Sequence, residues 1–257
     1  MLSPLALGRG DLGVRLNKNQ TLNLFLAVST SVVNLQVVPM IIQSLGVVSY
    51  EEALALQNRL ADEVGAGGDD HLLLLEHPHT YTLGTSAKEE HLLMSADERE
   101  RRGVSVYHVD RGGDITYHGF GQLVGYPILK LGRGTDGLRA DVVRYVRDLE
   151  RVIINTLAEY DVIAYPIPGL TGVWVNTPQG EQKIAAIGVR INVRGVTKHG
   201  FALNVNTDLR YFDGIIPCGI RDKGVTSLAV QLGAAVEMQD VIERVSGQFC
   251  AVFENRL

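Results

Sequence analysis

Two side chains in this 257-residue sequence have the chemistry of a nucleophile and of its base. Cys218 sits in Ile-Ile-Pro-Cys-Gly-Ile, where Pro217 stiffens the approach and Gly219 clears space beyond it. A free thiol has a pKa of about 8.5, so it needs a cationic neighbour to be thiolate at neutral pH. The competing reading is a small buried hydrophobe. Cys250, beside Phe249 in a helical pattern, fits that second reading; Cys218, in a loop between Pro and Gly, fits it less naturally. Lys183 lies in Lys-Ile-Ala-Ala-Ile-Gly-Val, a run whose alanines and glycine leave room for a ligand. Strand lysines are commonly solvated edge charges. Amid small apolar residues one can instead serve as a base, because burial lowers its pKa.

A third chemical feature is the stretch 111–129, RGGDITYHGFGQLVGYPIL. It places Gly112, Gly113, Gly119, Gly121 and Gly125 among Arg111, Thr116, Tyr117 and His118. Glycine is used where backbone must approach a ligand closely or take positive φ, so the composition reads as a backbone cradle. Other motifs are weaker. Gly132-Arg-Gly-Thr-Asp-Gly137 matches G-x-G-x-x-G, with Glu159 and Asp161 downstream, but Pro127 disfavours the central parallel strand that a dinucleotide fold needs just before it. A flexible strand-to-helix loop capped by Thr135 or Asp136 is the simpler reading. His77 and His79 flank a proline, yet no H-E-x-x-H pattern or paired-cysteine spacing accompanies them, so no metal is expected. The sequence also lacks a G-x-S-x-G elbow and a G-x-x-x-x-G-K-[ST] loop.

The elements that must position these groups follow from periodicity. Residues 36–48 read as a strand. Ser49 and Glu52 form a capping box for a helix stopped by Gly65, Gly67 and Gly68. His71–Glu76 is a buried strand, and Ser95 with Glu98 opens a short helix closed by Gly103. Strands are expected at 104–109 and 122–131. A long amphipathic helix is marked by Leu138, Val142, Tyr145, Leu149, Val152, Leu157 and Tyr160. Strands near 161–165 and 172–176 precede a hairpin of 183–193 with 199–206, turning at Arg194-Gly195. A loop, 208–226, carries Cys218, and a terminal helix spans about 239–254. Interleaved helices and strands with a hairpin predict one α/β domain with a mixed sheet flanked by helices.

Composition sets the outer bounds. The chain is 46% apolar and 21% charged, which excludes wholesale disorder, and its net charge of −5 argues against nucleic acid. Two cysteines fit a reducing, cytoplasmic setting rather than a disulfide scaffold. No apolar run reaches the roughly 18 residues of a membrane span. Residues 21–33 loosely imitate an export signal, but Asp11 breaks the basic stretch before them and no A-x-A site follows. Residues 1–39 are therefore read as a poorly ordered extension, with Met40 as an alternative effective start, and 40–257 as the catalytic domain. Arg144, Arg147 and Arg151 share one helix face, which is solvated or docks an acidic carrier.

RGGDITYHGFGQL with YPIL, then GVWV, KIAAIG, HGFALNVN and IIPCGI, resembles the signature set of the lipoyl(octanoyl) transferases, in order, over residues 40–254. The resemblance implies the biotin/lipoate ligase-like α/β fold. It implies transfer of an octanoyl or lipoyl group from octanoyl-acyl carrier protein to a lysine of a lipoyl domain, those of 2-oxoacid dehydrogenases and the glycine cleavage H protein. No cofactor, nucleic acid or membrane is involved. On the same basis Cys218 is the thioester nucleophile and Lys183 its activator. Substrate contacts fall on Arg111, Gly112, Gly113, Asp114, Ile115, Thr116, Tyr117 and His118, on Ala186, Ile187 and Gly188, and on Gly200, Phe201 and Ala202. Phe120 stands where the family usually has proline. An ATP-dependent lipoate or biotin ligase on the same fold is the nearest rival, and a non-catalytic carrier-binding protein the next.

Overall fold

The computed structural model describes residues 40–132, 141–216 and 223–253. Cys218, Leu138, the 1–39 extension and all but the first residue of the G-x-G-x-x-G loop lie outside these.

Strand β1 (Met40–Val47) leads into helix α1 (Tyr50–Gly65). The capping box forms as expected: the Ser49 hydroxyl accepts from the Glu52 amide, and the Glu52 carboxylate accepts from the Ser49 amide. Strand β2 (Asp70–Glu76) carries the continuous apolar run Leu72–Leu75 because both its faces are covered there. Leu73 and Leu75 pack with Leu60 and Val64 of α1, whereas Leu72 and Leu74 belong to the core beneath α3 (Val142–Ala158) and α5 (Met238–Phe253). A fully buried leucine contributes about 1.5–3 kcal/mol, so these two layers of side chains fix the sheet between the helices.

The main sheet runs β1-β2-β6-β10-β9-β8-β7, with β6 (Gln122–Ile128), β7 (Ala164–Ile167), β8 (Leu170–Thr177), β9 (Gly180–Ile191) and β10 (Thr197–Asn204). β1 and β2 are parallel and the succeeding pairs antiparallel, so the sheet is mixed. Pro127 does occupy a central strand. β10 pairs with β6 only from Phe201 to Asn204, and at Pro127 the Thr197 side chain takes over, donating to Pro127 O and accepting from Leu129 N. The hairpin of β9 and β10 turns at Gly195, as its sequence suggests.

The strand expected at 104–109 is present, but it belongs to a second sheet that the sequence did not suggest. β3 (Thr80–Leu83), β4 (Ser105–His108) and β5 (Ile115–His118) form three strands in the order β4-β3-β5. The two-residue β11 (Gly224–Val225) and helix α4 (Leu228–Leu232) were also unforeseen, both lying in or just after the stretch read as a loop. Helix α2 (Ala96–Arg102) has only half its predicted box. Ser95 accepts from the Glu98 amide, while the Glu98 carboxylate pairs with Arg102. On α3, Tyr145, Leu149, Val152 and Leu157 are buried as expected, but Val142 is exposed at the helix start. Arg147 and Arg151 pair with the buried Glu150 and Asp148 rather than forming a purely solvated stripe. Cys250 is half-buried, less enclosed than its apolar setting implied.

Candidate active site

The end of β3 and the backbone of β9 grip the glycine-rich segment before it enters β5. Gly84, Thr85 and Ser86 donate to the carbonyls of Asp114, Arg111 and Gly113, and Gly112 donates to Val189 O on β9. The buried Arg111 guanidinium grips Thr82, donating to its carbonyl at 2.6 Å and to its hydroxyl at 2.9 Å. Asp114 caps the Ile115 amide at 2.7 Å and pairs with His91 at 2.6 Å. Arg111 and Asp114 thus hold the loop's own shape.

Between this loop and strands β6, β9 and β10 lies a cavity of about 540 Å³, within the roughly 300–1,000 Å³ typical of small-molecule sites. Its rim includes Val142 and Val146 of α3 and the turn at Gly169 and Leu170. It brings together residues far apart in sequence. From the glycine-rich segment come Arg111, Gly112, Gly113, Asp114, Ile115, Thr116 and His118. β9 supplies Lys183, Ala186, Ile187 and Gly188, and β10 supplies Gly200, Phe201 and Ala202. Tyr117 does not line it. Strand alternation sends its ring away from Thr116 and His118, to stack on Tyr211 at 5.1 Å and accept or donate to His79 Nδ1 at 2.7 Å.

Lys183 is the fourth residue of β9 rather than its first. Its Nζ lies 4.7 Å from the centroid of the buried Trp174 ring, a cation–π arrangement. On its other side β9 pairs in parallel with β11, Val225 opposite Lys183, and Thr226 N donates to Lys183 O. β11 follows the segment that carries Cys218.

Buried neutral histidines and tyrosines back the cavity. His118 bonds Gln122 Oε1 through Nδ1 at 2.9 Å and Thr82 Oγ1 through Nε2 at 3.4 Å. Burial, reinforced by His77 and Arg111, pushes its pKa well down, so it stands as a neutral ring. The Gln122 amide nitrogen faces two acceptors, Tyr117 O and Asn204 Oδ1, which turns its oxygen to His118 and makes Nδ1 the protonated nitrogen. His77 donates to Val48 O and accepts from Tyr126, and burial lowers its pKa to about 4. The two histidines around Pro78 are therefore spent on structural hydrogen bonds. Among the described residues, no cluster of three or more His, Cys, Asp or Glu could hold a metal ion.

Sequence reasoning did not assign Tyr50, Thr82, Tyr126, His199 or Asn204 to the site. Burial raises the Tyr50 hydroxyl to about 12 and raises Tyr126 as well, so both line the cavity as neutral phenols. His199 reaches Asp110 at 2.7 Å and has a φ of 56°, uncommon for a residue other than glycine. His199 and Asn204 do lie inside HGFALNVN, and that motif was their available signal. Tyr50 and Thr82 carried none.

Phe120 sits at the second position of a turn closed by Gln122 N donating to Gly119 O, followed by Gly121 at φ 76°. These are the features of a type II turn, whose second position favours proline and whose third requires positive φ. The departure at Phe120 therefore leaves the turn intact.

Comparison with known proteins identifies the family and the fold. Residues 49–250 match the family described as the lipoyl protein ligase A/B catalytic domain. An octanoyltransferase of Chloroflexus aggregans is 50% identical over 82% of this chain and 94% of its own length. One from a Roseiflexus species is 49% identical over 83% and 87%. Among solved structures, a bipartite lipoate protein ligase of Thermoplasma acidophilum superposes with a TM-score of 0.64 at 18% identity, covering 83% of this chain and 84% of that one. A lipoate-protein ligase A bound with ATP gives 0.63 at 15%, covering 83% and 84%. At such identities the two structures establish the fold alone. No helix among the described residues is long and apolar enough to cross a membrane. The chain belongs to the lipoyl protein ligase A/B catalytic domain family.

Proposed function

We propose that this chain is an acyltransferase that moves an octanoyl group from octanoyl-acyl carrier protein to a lysine of a lipoyl domain, through a thioester on Cys218. The observation that carries the reading is the combination of octanoyltransferase relatives at half identity with Lys183 lining a cavity walled by the glycine-rich loop. Residues 40–257 are the catalytic domain and 1–39 an extension outside it. The lipoyl domains of 2-oxoacid dehydrogenases and the glycine cleavage H protein are the acceptors, and the cytoplasm is the place of action.

In the first step the Cys218 thiolate attacks the donor's thioester carbonyl, and the C–S bond to the carrier breaks. The carrier thiolate leaves and takes a proton, and Cys218 holds the acyl group. One thioester replaces another, so no ATP is consumed. In the second step the acceptor amine attacks, an amide forms, and the Cys218 thiolate is released. Lys183, as an ammonium, stabilises the thiolate, and in its neutral form takes the proton that the attacking amine sheds. Backbone N–H groups of the glycine-rich wall are suited to hold the carbonyl oxygen as it becomes anionic. Arg111, Gly112, Gly113, Asp114, Ile115, Thr116 and His118 shape that wall; Tyr117 supports it from behind.

The test is intact-mass spectrometry after mixing the full chain with octanoyl-carrier protein and no ATP. A hydroxylamine-labile octanoyl adduct is expected on wild type and absent from Cys218→Ser. An adduct that persists in Cys218→Ser overturns the assignment. ATP-dependent ligation of free octanoate surviving in Cys218→Ala would establish the ligase reading instead.

A further inference from the structure

Strand β9 changes partners beside Lys183. From Ile191 down to Ala185 it pairs with β10, and at Lys183 and Gln182 it pairs with β11 instead. A fork in a sheet leaves backbone groups to be satisfied by something else. Here the Asn204 side chain fills the fork. It is 4% exposed, lines the cavity, accepts from Gln122 Nε2 at 2.9 Å and donates to Thr226 O at 2.9 Å. Thr226 in turn donates its own N–H to Lys183 O at 3.0 Å, and its hydroxyl accepts from Gln231.

Traced backwards, the same bonds reach the glycine-rich wall. Gln122 accepts from His118, the Thr82 hydroxyl meets His118 Nε2, and Arg111 donates to that hydroxyl. The chain Arg111–Thr82–His118–Gln122–Asn204–Thr226–Lys183 therefore runs unbroken, with a donor and an acceptor assignable at every link. Each member is buried except Lys183, which is half-buried. Networks of this kind are stiff when every member is satisfied. Within this chain of bonds Asn204 is the side chain that passes from the wall's residues to the strand pair on which Lys183 stands, beside the direct backbone bond from Gly112 N to Val189 O of β9.

We infer that Asn204 is a positioning residue for acyl transfer, setting the register of β9 on β11 and so the place of the Lys183 amine relative to the acyl carbonyl held by the wall. This rests on the role given to Lys183 above. A group that acts through Lys183 costs rate only while Lys183 is present, whereas a group that merely holds the fold, or touches the acyl chain directly, costs rate in either background.

The experiment is steady-state transfer from octanoyl-carrier protein to a lipoyl domain by four full-length proteins: wild type, Asn204→Ala, Lys183→Ala and the double variant. In wild type, Asn204→Ala is expected to lower kcat about 100-fold, the loss that an ångström of misplacement brings, with KM for the donor moved less than about 3-fold. In the Lys183→Ala background the same change is expected to lower kcat less than about 3-fold further. Asn204→Asp keeps the acceptor for Gln122 and the volume, but removes the donor to Thr226 O. It should reproduce the fall in kcat when assayed at a temperature where circular dichroism shows each variant folded, which covers the case of Asn204→Ala failing to fold. Its melt should fall, because a carboxylate then faces Thr226 O. Equal falls in both backgrounds overturn the inference while leaving Lys183 in its role, and so does a fully active Asn204→Asp. Full activity of Lys183→Ala overturns the Lys183 role and this inference with it.

Discussion

Thr82→Val is the perturbation whose cost can be worked most directly from the contacts. Thr82 is fully buried in the middle strand of the small sheet, paired with Tyr107 on one side and Thr116 on the other. Valine keeps its shape and its β preference and exchanges one hydroxyl for a methyl. That hydroxyl accepts from Arg111 Nη2 at 2.9 Å and Nε at 3.3 Å, and its own hydrogen is left to meet His118 Nε2 at 3.4 Å. Arg111 keeps its bonds to Thr82 O and Gly112 O, so the guanidinium is not stranded. A hydrogen bond to a charged group contributes about 1.5–3 kcal/mol, and a buried nitrogen left without a partner costs about 1–3 kcal/mol. The long separation from His118 places that second contribution at its lower end. The sum is about 2.5–4 kcal/mol, and at roughly 2–4 °C per kcal/mol for a domain of this size the melting temperature should fall by about 5–16 °C. Thr82→Ser is the control. It retains the hydroxyl and loses one buried methyl, about 1 kcal/mol and so about 2–4 °C. Thermal unfolding followed by circular dichroism measures both. A Thr82→Val melt within about 2 °C of wild type, or Val and Ser falling equally, would show that the hydroxyl does not tie Arg111 to His118.

Three further outcomes are expected. His77 has its pKa lowered to about 4 by burial against an unfolded value of about 6.5, so between those values the unfolded chain binds a proton that the folded chain does not. Its contribution is present in full above pH 6.5 and lost as pH falls towards 4, up to about 3 kcal/mol; urea midpoints that rise from pH 7 to pH 5 would contradict this. Phe120→Pro should raise stability by about 0.4–1 kcal/mol and leave transfer intact, since the turn already has the geometry proline favours; a lower melting temperature would sink the turn assignment. Gly200→Ala should cost more than about 2 kcal/mol, because a Cβ there would stand 2.1 Å from Gly125 O and 2.7 Å from Pro127 Cδ, and wild-type urea stability in that variant would refute the close approach of β10 to β6.

Helix boundaries were legible because caps are local. Ser49 and Glu52 stand three residues apart, and the burial of Val241, Val245, Phe249 and Phe253 on α5 follows one stripe. Of the second sheet only β4 was legible, as the strand expected at 104–109. In Thr80–Leu83 every side chain is buried, so the run shows no alternation, and at four residues it is too short to be told from a loop. Only pairing with β4 and β5, from residues 25 to 38 positions away, makes it a strand. Tyr117 lies off the cavity for a different reason. Alternation along β5 puts Tyr117 opposite to Thr116 and His118, and its ring is taken up by Tyr211 and His79, whereas Ile115, on the same face but at the start of the strand, still reaches the cavity.

The glycines and the polar chain mark the deeper limit. Small residues near Lys183 and in β10 suggest room for a ligand, and the cavity does lie there, yet Gly200 is small because β6 backbone occupies the place of its Cβ. Composition reports that something comes close, not whether it is substrate or strand. The polar chain leaves even less trace. Its links join residues 36, 82 and 22 positions apart, at Thr82–His118, Gln122–Asn204 and Asn204–Thr226. Each member but the half-buried Lys183 is, taken alone, an ordinary buried polar residue satisfied by its neighbours. Only the fork of β9 between β10 and β11 gives them a common direction, because it leaves Thr226 O to be met by a side chain rather than by a neighbouring strand. A pattern defined by a break in strand pairing has no counterpart in periodicity or spacing, which is why the groups that hold Lys183 became visible only after Lys183 itself had been found.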